Sequence, residues 1–103
     1  MAQALIDDIV IPQDVQEFCT SHGLAGDLQT SVTLAREVFA PSSRVVVTLE
    51  GDPETGEEYI VVQVDVTMAV DEALRRNRGY TSRWIQAASE KGRENIRFLF
   101  SIP

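Results

Sequence analysis

The alternation of apolar and polar residues over positions 44–66 is the clearest structural signal in the sequence. Two β-branched runs flank a loop of turn residues, which is the pattern of a β-hairpin. We place Leu49 opposite Ile60, because this register gathers the aliphatic side chains on one face. The same register sets Arg44 across from Asp65, a favourable pair of charges. A slip of one residue would turn the aliphatic face to water, so the register is well specified.

The two faces of this hairpin differ in character. One is wholly aliphatic and is expected to lie against helices. It carries Val45, Val47, Leu49, Ile60, Val62, Val64 and Val66. The other face is only partly polar, and its apolar members would be exposed on a sheet covered on one side. With a residue from a third strand, these members are Val46, Thr48, Tyr59, Val61 and Leu99.

A third strand is predicted at residues 95–102, where apolar and polar positions again alternate. Phe98 and Phe100 point to the face that Ile60 occupies, whereas Leu99 points to the other. A right-handed helical crossover should bring this strand parallel to the second strand of the hairpin. The pattern does not decide its neighbour; we favour the order 2-1-3, with the first hairpin strand in the centre.

Apolar residues at helical spacing predict three helices. The first begins near Pro12 and ends at Gly23, and the second spans Gly26 to Ala40. The third runs from about Met68 to Lys91, with Thr67 as N-cap and Gly92 as C-cap residue. Its predicted inward stripe, with Tyr80 at the edge, is Val70, Ala73, Leu74, Asn77, Thr81, Trp84, Ile85 and Ala88.

These elements predict one α+β domain over residues 1–103, in the order α-α-β-β-α-β. The hairpin at 44–66 and the strand at 95–102 form a three-stranded sheet, with all helices on one face. Residues 1–11 are too apolar for a free tail. We expect them to pack on their own domain rather than to cross to a second subunit.

Composition adds the cellular setting. The 103 residues are 44% hydrophobic and 24% charged, as in ordinary soluble proteins. The single cysteine, Cys19, excludes an internal disulfide and fits a reducing compartment. Neither a signal peptide nor a membrane span is evident in the pattern. We therefore expect a cytoplasmic protein with no membrane partner.

Charge is distributed unevenly along the chain. Residues 1–74 carry fourteen acids and two bases, for a net charge of −12, whereas residues 75–103 carry seven bases and two acids, for +5. Arg75, Arg76 and Arg83 project from the third helix away from its apolar stripe. They could bind nucleic acid or an acidic protein, or they could form an ordinary solvated helix face.

Candidate chemistry is sparse. Cys19 and His22 stand three apart on one helix, but nothing supplies an orienting group, and both lie on the apolar stripe. The loop at 52–58 holds four carboxylates without the spacing of a calcium site. Glycine-rich phosphate loops do not occur in the sequence. We therefore predict no catalytic residue, no metal ligand and no cofactor.

The sequence favours a small non-catalytic interaction module that self-associates, as a homodimer, through the exposed sheet face. Its contact residues would be Val46, Tyr59, Val61 and Leu99. One alternative is a nucleic-acid-associated protein that uses the arginine-rich face of the third helix. Another is a small enzyme or ligand-binding domain. A deep pocket lined by His22, Asn77, Thr81 or Trp84 would favour that second alternative.

Overall fold

The chain forms an α+β structure in which helices pack on one face of a three-stranded sheet. The computed structural model describes residues 5–6, 9–40 and 43–102. Compared with the predicted order, it adds a two-stranded ribbon at the N-terminus and a short fourth helix. In chain order the elements are β1 (Leu5–Ile6), β2 (Ile9–Val10), α1 (Gln13–His22), α2 (Ala25–Val38), β3 (Ser43–Gly51), β4 (Glu58–Val66), α3 (Val70–Ala87), α4 (Glu90–Asn95) and β5 (Ile96–Ser101).

The hairpin register is confirmed: Leu49 pairs with Ile60, and Arg44 pairs with Asp65 across β3 and β4. β5 runs parallel to β4, as the crossover rule requires, with Phe98 opposite Val62. The expected lateral order was wrong, because the sheet order is β3-β4-β5 and β4 is the central strand. On the far side of the sheet from β5, β2 of the N-terminal ribbon packs against β3.

Both N-terminal helices form where they were predicted. α1 follows Pro12 and ends at Gly23, which has a φ of +68° and so occupies the left-handed region that glycine tolerates. Leu24, directly after this glycine, is fully buried. α2 ends two residues before the predicted boundary at Ala40, and its apolar stripe faces the core.

The third helix is one continuous element, but its predicted inward face was wrong. Tyr80, which was expected at the edge of the stripe, is 1% exposed and stacks on Phe98 at a ring-centroid distance of 3.8 Å. The buried side therefore centres on Tyr80 and Trp84. Four residues of the predicted stripe are exposed instead: Val70, Leu74, Thr81 and Ile85. The two aromatic rings offer more apolar surface, and their burial sets the rotation of the helix.

The predicted ends of the third helix were also wrong. Ala69, rather than Thr67, precedes the first turn, and the helix stops at Ala87. α4 then begins after Ser89, whose hydroxyl accepts the backbone N–H of Gly92 at 3.1 Å. Gly92 is therefore buried within a new helix and does not cap the previous one.

The N-terminal segment packs on its own domain at the positions that the structure describes. Ile9 and Ile11 are buried in the main core cluster. β1 and β2 pair antiparallel, with Ile6 opposite Ile9. Residues 1–4 and 7–8, the remainder of the predicted arm, lie outside the described residues.

An aromatic cluster joins the two layers. Phe39 at the end of α2 stacks on Phe98 at 5.6 Å and on Phe100 at 6.3 Å. The Tyr80 hydroxyl lies 2.6 Å from the Ser31 hydroxyl, so the buried polar ends of α2 and α3 satisfy each other. These contacts place α3 over β5 and α2 over the centre of the sheet.

Candidate interaction surfaces

The face of the sheet turned away from the helices, here called the open face, is the first candidate surface. Cross-strand pairing puts Thr48, Val61 and Arg97 in one row. Exposure is uneven: Val61 on the central strand is 7% exposed, whereas Leu99 on β5 is 54% exposed. The apolar character that is available to a partner therefore concentrates at the β5 margin.

Polar side chains cover part of this open face. The Arg97 guanidinium lies 3.8 Å from the centroid of the Tyr59 ring, a cation–π contact that shields the ring. Gln63 donates to Asp65 at 3.0 Å along β4. Val46 and Tyr59 are both half-buried. The four predicted contact residues thus lie on one face, but they differ in accessibility.

The arginines of α3 engage partners within the chain. Arg76 donates to the Glu72 carboxylate at 2.8 Å and to the carbonyl oxygens of Val38 and Ala40 at 3.1 and 2.6 Å. These two carbonyls lie at the C-terminal end of α2, where a cation is favourable to the helix dipole. Arg76 therefore joins α3 to α2.

Arg75 and Arg83 form ion pairs. Arg75 pairs with Glu72, and the neighbouring guanidiniums hold the pKa of that carboxyl below its usual value, chiefly through the hydrogen bond from Arg76. Arg83 pairs with Glu37 of α2 at 2.8 Å. The three arginines proposed as contact residues are therefore each paired with an acid of the same chain. Nucleic-acid binding through these arginines stays a prediction that these contacts do not favour.

A second candidate surface lies on α3 and was missed by the sequence analysis, which assigned its residues to the core. We call it the α3 stripe: Val70, Leu74, Thr81 and Ile85. Val70 is 58%, Leu74 43% and Ile85 56% exposed. One signal could have identified it. A helix face centred on Tyr80 and Trp84 leaves these four residues together on one flank.

Cys19 and His22, the candidate pair of α1, lie in different surroundings. Cys19 is buried in the core, and this burial raises the pKa of its thiol above the usual value, so the thiolate is disfavoured. The His22 ring stacks on Phe18 at 4.1 Å, and its Nδ1 lies 3.0 Å from the Phe18 carbonyl oxygen. Nδ1–H donates to that oxygen, so this nitrogen is not available to act as a base.

A cleft of about 430 Å³ lies where the hairpin loop meets the end of α1 and the start of β5. Its lining is charged and open, unlike the enclosed apolar sites that hold small organic ligands. The lining residues are His22, Asp52, Glu57, Glu58, Tyr59, Glu94, Asn95 and Arg97. Over the part of the chain that the structure describes, no three His, Cys, Asp or Glu side chains are arranged to hold a metal ion.

Asn77 and Thr81 do not join His22 in this cleft. Both lie on α3, where Thr81 is exposed and Asn77 is half-buried. Trp84 points into the core beside Tyr80, with the rings 6.4 Å apart. The predicted pocket residues are therefore distributed over separate parts of the molecule.

Comparisons with protein-family models, curated proteins and solved structures gave no match. Among residues 5–6, 9–40 and 43–102, no helix has both the length and the apolar character that are needed to cross a bilayer.

Proposed function

We propose that this chain is a small non-catalytic interaction module that associates with a second copy of itself at the β5 margin of the open face. The observation that carries this proposal is the exposure of Leu99, which is 54% accessible in the middle of a strand. Leucine at such a position leaves apolar surface in water, which association would remove.

The location of Leu99 strengthens the proposal. β5 is the last strand of the sheet order β3-β4-β5 and pairs only with β4 among the described residues. An edge strand whose side chains are largely apolar is a template for pairing with another chain unless charge or proline protects it. Arg97 is the one charged side chain of β5, and it lies over Tyr59.

The other predicted contact residues flank this margin. Val61 is already buried within its own sheet, so association would remove little further apolar surface of this residue from water. Val46 lies on β3, two strands from β5, and Tyr59 is capped by Arg97. Leu99 is therefore the side chain whose alteration should affect association most.

Sedimentation velocity over a range on the order of tens of micromolar tests the proposal. The unaltered chain should sediment as a dimer, and Leu99→Glu should shift it to a monomer because a carboxylate cannot be buried unpaired. Val10→Glu is the matched control, since Val10 is 52% exposed but lies in the N-terminal ribbon. It should leave the dimer intact.

A monomer at every concentration for the unaltered chain would overturn the proposal. So would a dimer that Leu99→Glu and Val10→Glu weaken equally, because that result would place the contact elsewhere. Far-ultraviolet circular dichroism of both variants establishes that each remains folded. Val61→Glu is a poorer probe, since Val61 is 7% exposed and its replacement would disturb the fold itself.

A further inference from the structure

The α3 stripe faces away from α2. At about 100° per residue, it lies roughly 160° around the helix from Arg76 and Arg83. Those two arginines contact α2 through the Val38 carbonyl and the Glu37 carboxylate. The stripe therefore points to the opposite side of α3, where Val70, Leu74 and Ile85 are 58%, 43% and 56% exposed.

That side of the molecule is also an edge of the sheet, the one formed by β5. α2 packs over β3 and β4, and α3 contacts β5 through the stacking of Tyr80 on Phe98. Going outward from α2, one reaches α3 in the helix layer and β5 in the strand layer. The exposed stripe and the unpaired strand thus lie on the same flank, one above the other.

The spacing of the α3 stripe reads the same in both directions. Its four members are separated by four, seven and four residues, so the stripe is symmetric about the point between Asn77 and Arg78. When two such helices lie antiparallel, Val70 meets Ile85 of the second copy, and Leu74 meets Thr81. Self-complementarity of this kind is what a two-fold contact requires, and an unrelated partner does not need it.

β5 can accommodate the same two-fold axis, as any edge strand can. If Leu99 of one copy lies opposite Leu99 of another in antiparallel pairing, Phe98 falls opposite Phe100 and Arg97 opposite Ser101. Every directly opposed pair then shares a face, as a sheet demands. This register also places the exposed end of the strand, at Ile102, against Ile96 of the second copy.

One axis serves both symmetries. Tyr80 stacks on Phe98, and α3 runs antiparallel to β5 because β4 and β5 are parallel. The centre of the α3 stripe lies about two and a half residues before Tyr80, or about 4 Å along the helix. The same distance forward from Phe98 is about one residue of a strand, which is Leu99.

From this coincidence we infer that two copies associate edge to edge about an axis through Leu99. Their β5 strands pair antiparallel into a continuous six-stranded sheet, and their α3 stripes pack together above it. The inference rests on the self-association proposed above and specifies its geometry. It buries the three most exposed apolar residues of α3 together with the unpaired strand edge, which gives the two layers a common interface.

Oxidative cross-linking of single-cysteine variants tests the geometry. In a Cys19→Ala background, Leu99→Cys would place two sulfur-bearing residues opposite each other, with Cα atoms about 4.5–5.5 Å apart, within disulfide range. Val46→Cys is the control. It lies on β3, so an edge-to-edge dimer separates the two copies of residue 46 by five strand spacings, about 24 Å. Only Leu99→Cys should give a covalent dimer under a mild oxidant.

Charge placed on the α3 stripe supplies a second readout. Leu74→Glu should raise the dimer Kd by about a hundredfold or more, because each dimer would bury two unpaired carboxylates. Val70→Glu should do the same, while adding a favourable charge to the first turn of α3, so its effect cannot come from a weakened helix. Val10→Glu should leave the Kd within about twofold of the unaltered value.

The outcomes separate this inference from the proposed function. A monomeric unaltered chain would overturn both. A dimer that Leu74→Glu and Val70→Glu leave unchanged, or that cross-links through Val46→Cys, would overturn the edge-to-edge geometry while preserving self-association. If Leu99→Cys cross-links but the two α3 substitutions leave the dimer Kd unchanged, the copies pair through β5 alone. That result would also overturn the two-layer contact.

Discussion

Tyr80 is the residue at which the two layers of this protein meet. Its ring stacks on Phe98, and its hydroxyl hydrogen-bonds to Ser31, with both side chains buried. Removal from water raises the pKa of the Tyr80 phenol from 10 to about 12, although the hydrogen bond between Tyr80 and Ser31 opposes this shift. The neutral phenol is therefore the form that the core accepts.

This shift predicts a loss of stability in alkali. The folded state holds the phenol proton more tightly than the unfolded state, so the contribution is fully present below about pH 10 and is lost as the pH rises towards about 12. The loss should reach about 2–3 kcal/mol in the free energy of unfolding. Tyr80→Phe should lack this part of the pH dependence.

Absorbance of tyrosinate in the near ultraviolet measures the titration directly. The chain has two tyrosines, so a Tyr59→Phe variant reports Tyr80 alone. A midpoint near pH 10 in that variant would contradict the prediction and would indicate that water reaches the Tyr80 hydroxyl.

Arg76 illustrates why charge along the sequence did not translate into a surface. Its spacing from Glu72 is local and could be read from the helix pattern. Its contacts with the carbonyls of Val38 and Ala40 span 38 and 36 positions of sequence, respectively. They depend on how α2 and α3 pack. The net charge of +5 over residues 75–103 can be counted from the sequence. Those partners of the bases that lie on another helix could not be deduced from spacing along the chain.

Among the secondary-structure elements, those with the clearest alternation or periodicity of apolar residues were predicted most accurately. The hairpin was predicted to the residue because its alternation allows one buried face and one register. The phase of α3 was wrong because its apolar residues span an arc of about 160° at 100° per residue, wider than a single buried stripe requires. Both rotations bury a plausible stripe, and only the packing of Tyr80 on β5 distinguishes them. The candidate surface on α3 was hidden by that ambiguity.

The junction of α2 and α4 shows a second element that the sequence did not reveal. Asp27 in the first turn of α2 accepts the backbone N–H of Ser89 at 2.9 Å and its hydroxyl at 2.6 Å. A Cβ on Gly92 would lie 2.6 Å from the Asp27 Cγ, far inside van der Waals contact. Gly92 is required here for close approach, because the Asp27 carboxylate is held in place by Ser89.

Gly92→Ala should therefore lower the free energy of unfolding by about 1–3 kcal/mol, despite the better helix propensity of alanine. Gly79→Ala is the matched control in α3, where a Cβ meets nothing within 4 Å. It should raise stability by up to about 1 kcal/mol. Urea-induced unfolding measures both.

A double-mutant cycle with Asp27→Gly isolates the cause, because the Asp27 Cβ would also lie only 2.9 Å from a Cβ on Gly92. Once the whole Asp27 side chain is removed, Gly92→Ala should cost little, so the two substitutions should be strongly non-additive. Additive effects would show that the cost of the Cβ arises elsewhere in α4.

For the whole molecule, the order of the strands determines which flank is left open. β5 and β3 are the two edge strands of the sheet; the N-terminal ribbon packs against β3, whereas the crossover places α3 above β5. The sequence predicted the parallel crossover but not the lateral position, because the contact of β2 with β3 joins segments that have no local signal in common. Because β5 lies at the edge below α3, Leu99 and the α3 stripe lie on one flank and together form one candidate interface.

Self-association at this flank predicts that stability depends on protein concentration. A second copy that binds only the folded chain draws the equilibrium towards the native state, so each tenfold rise in concentration should add about 1.4 kcal/mol per dimer. The thermal midpoint of the unaltered chain should rise accordingly, whereas that of Leu74→Glu should not. Val10→Glu should follow the unaltered chain, since its change lies on the far side of the sheet. A midpoint that is independent of concentration in all three would mean that the folded monomer is sufficient by itself, with Leu99 and the α3 stripe left in water.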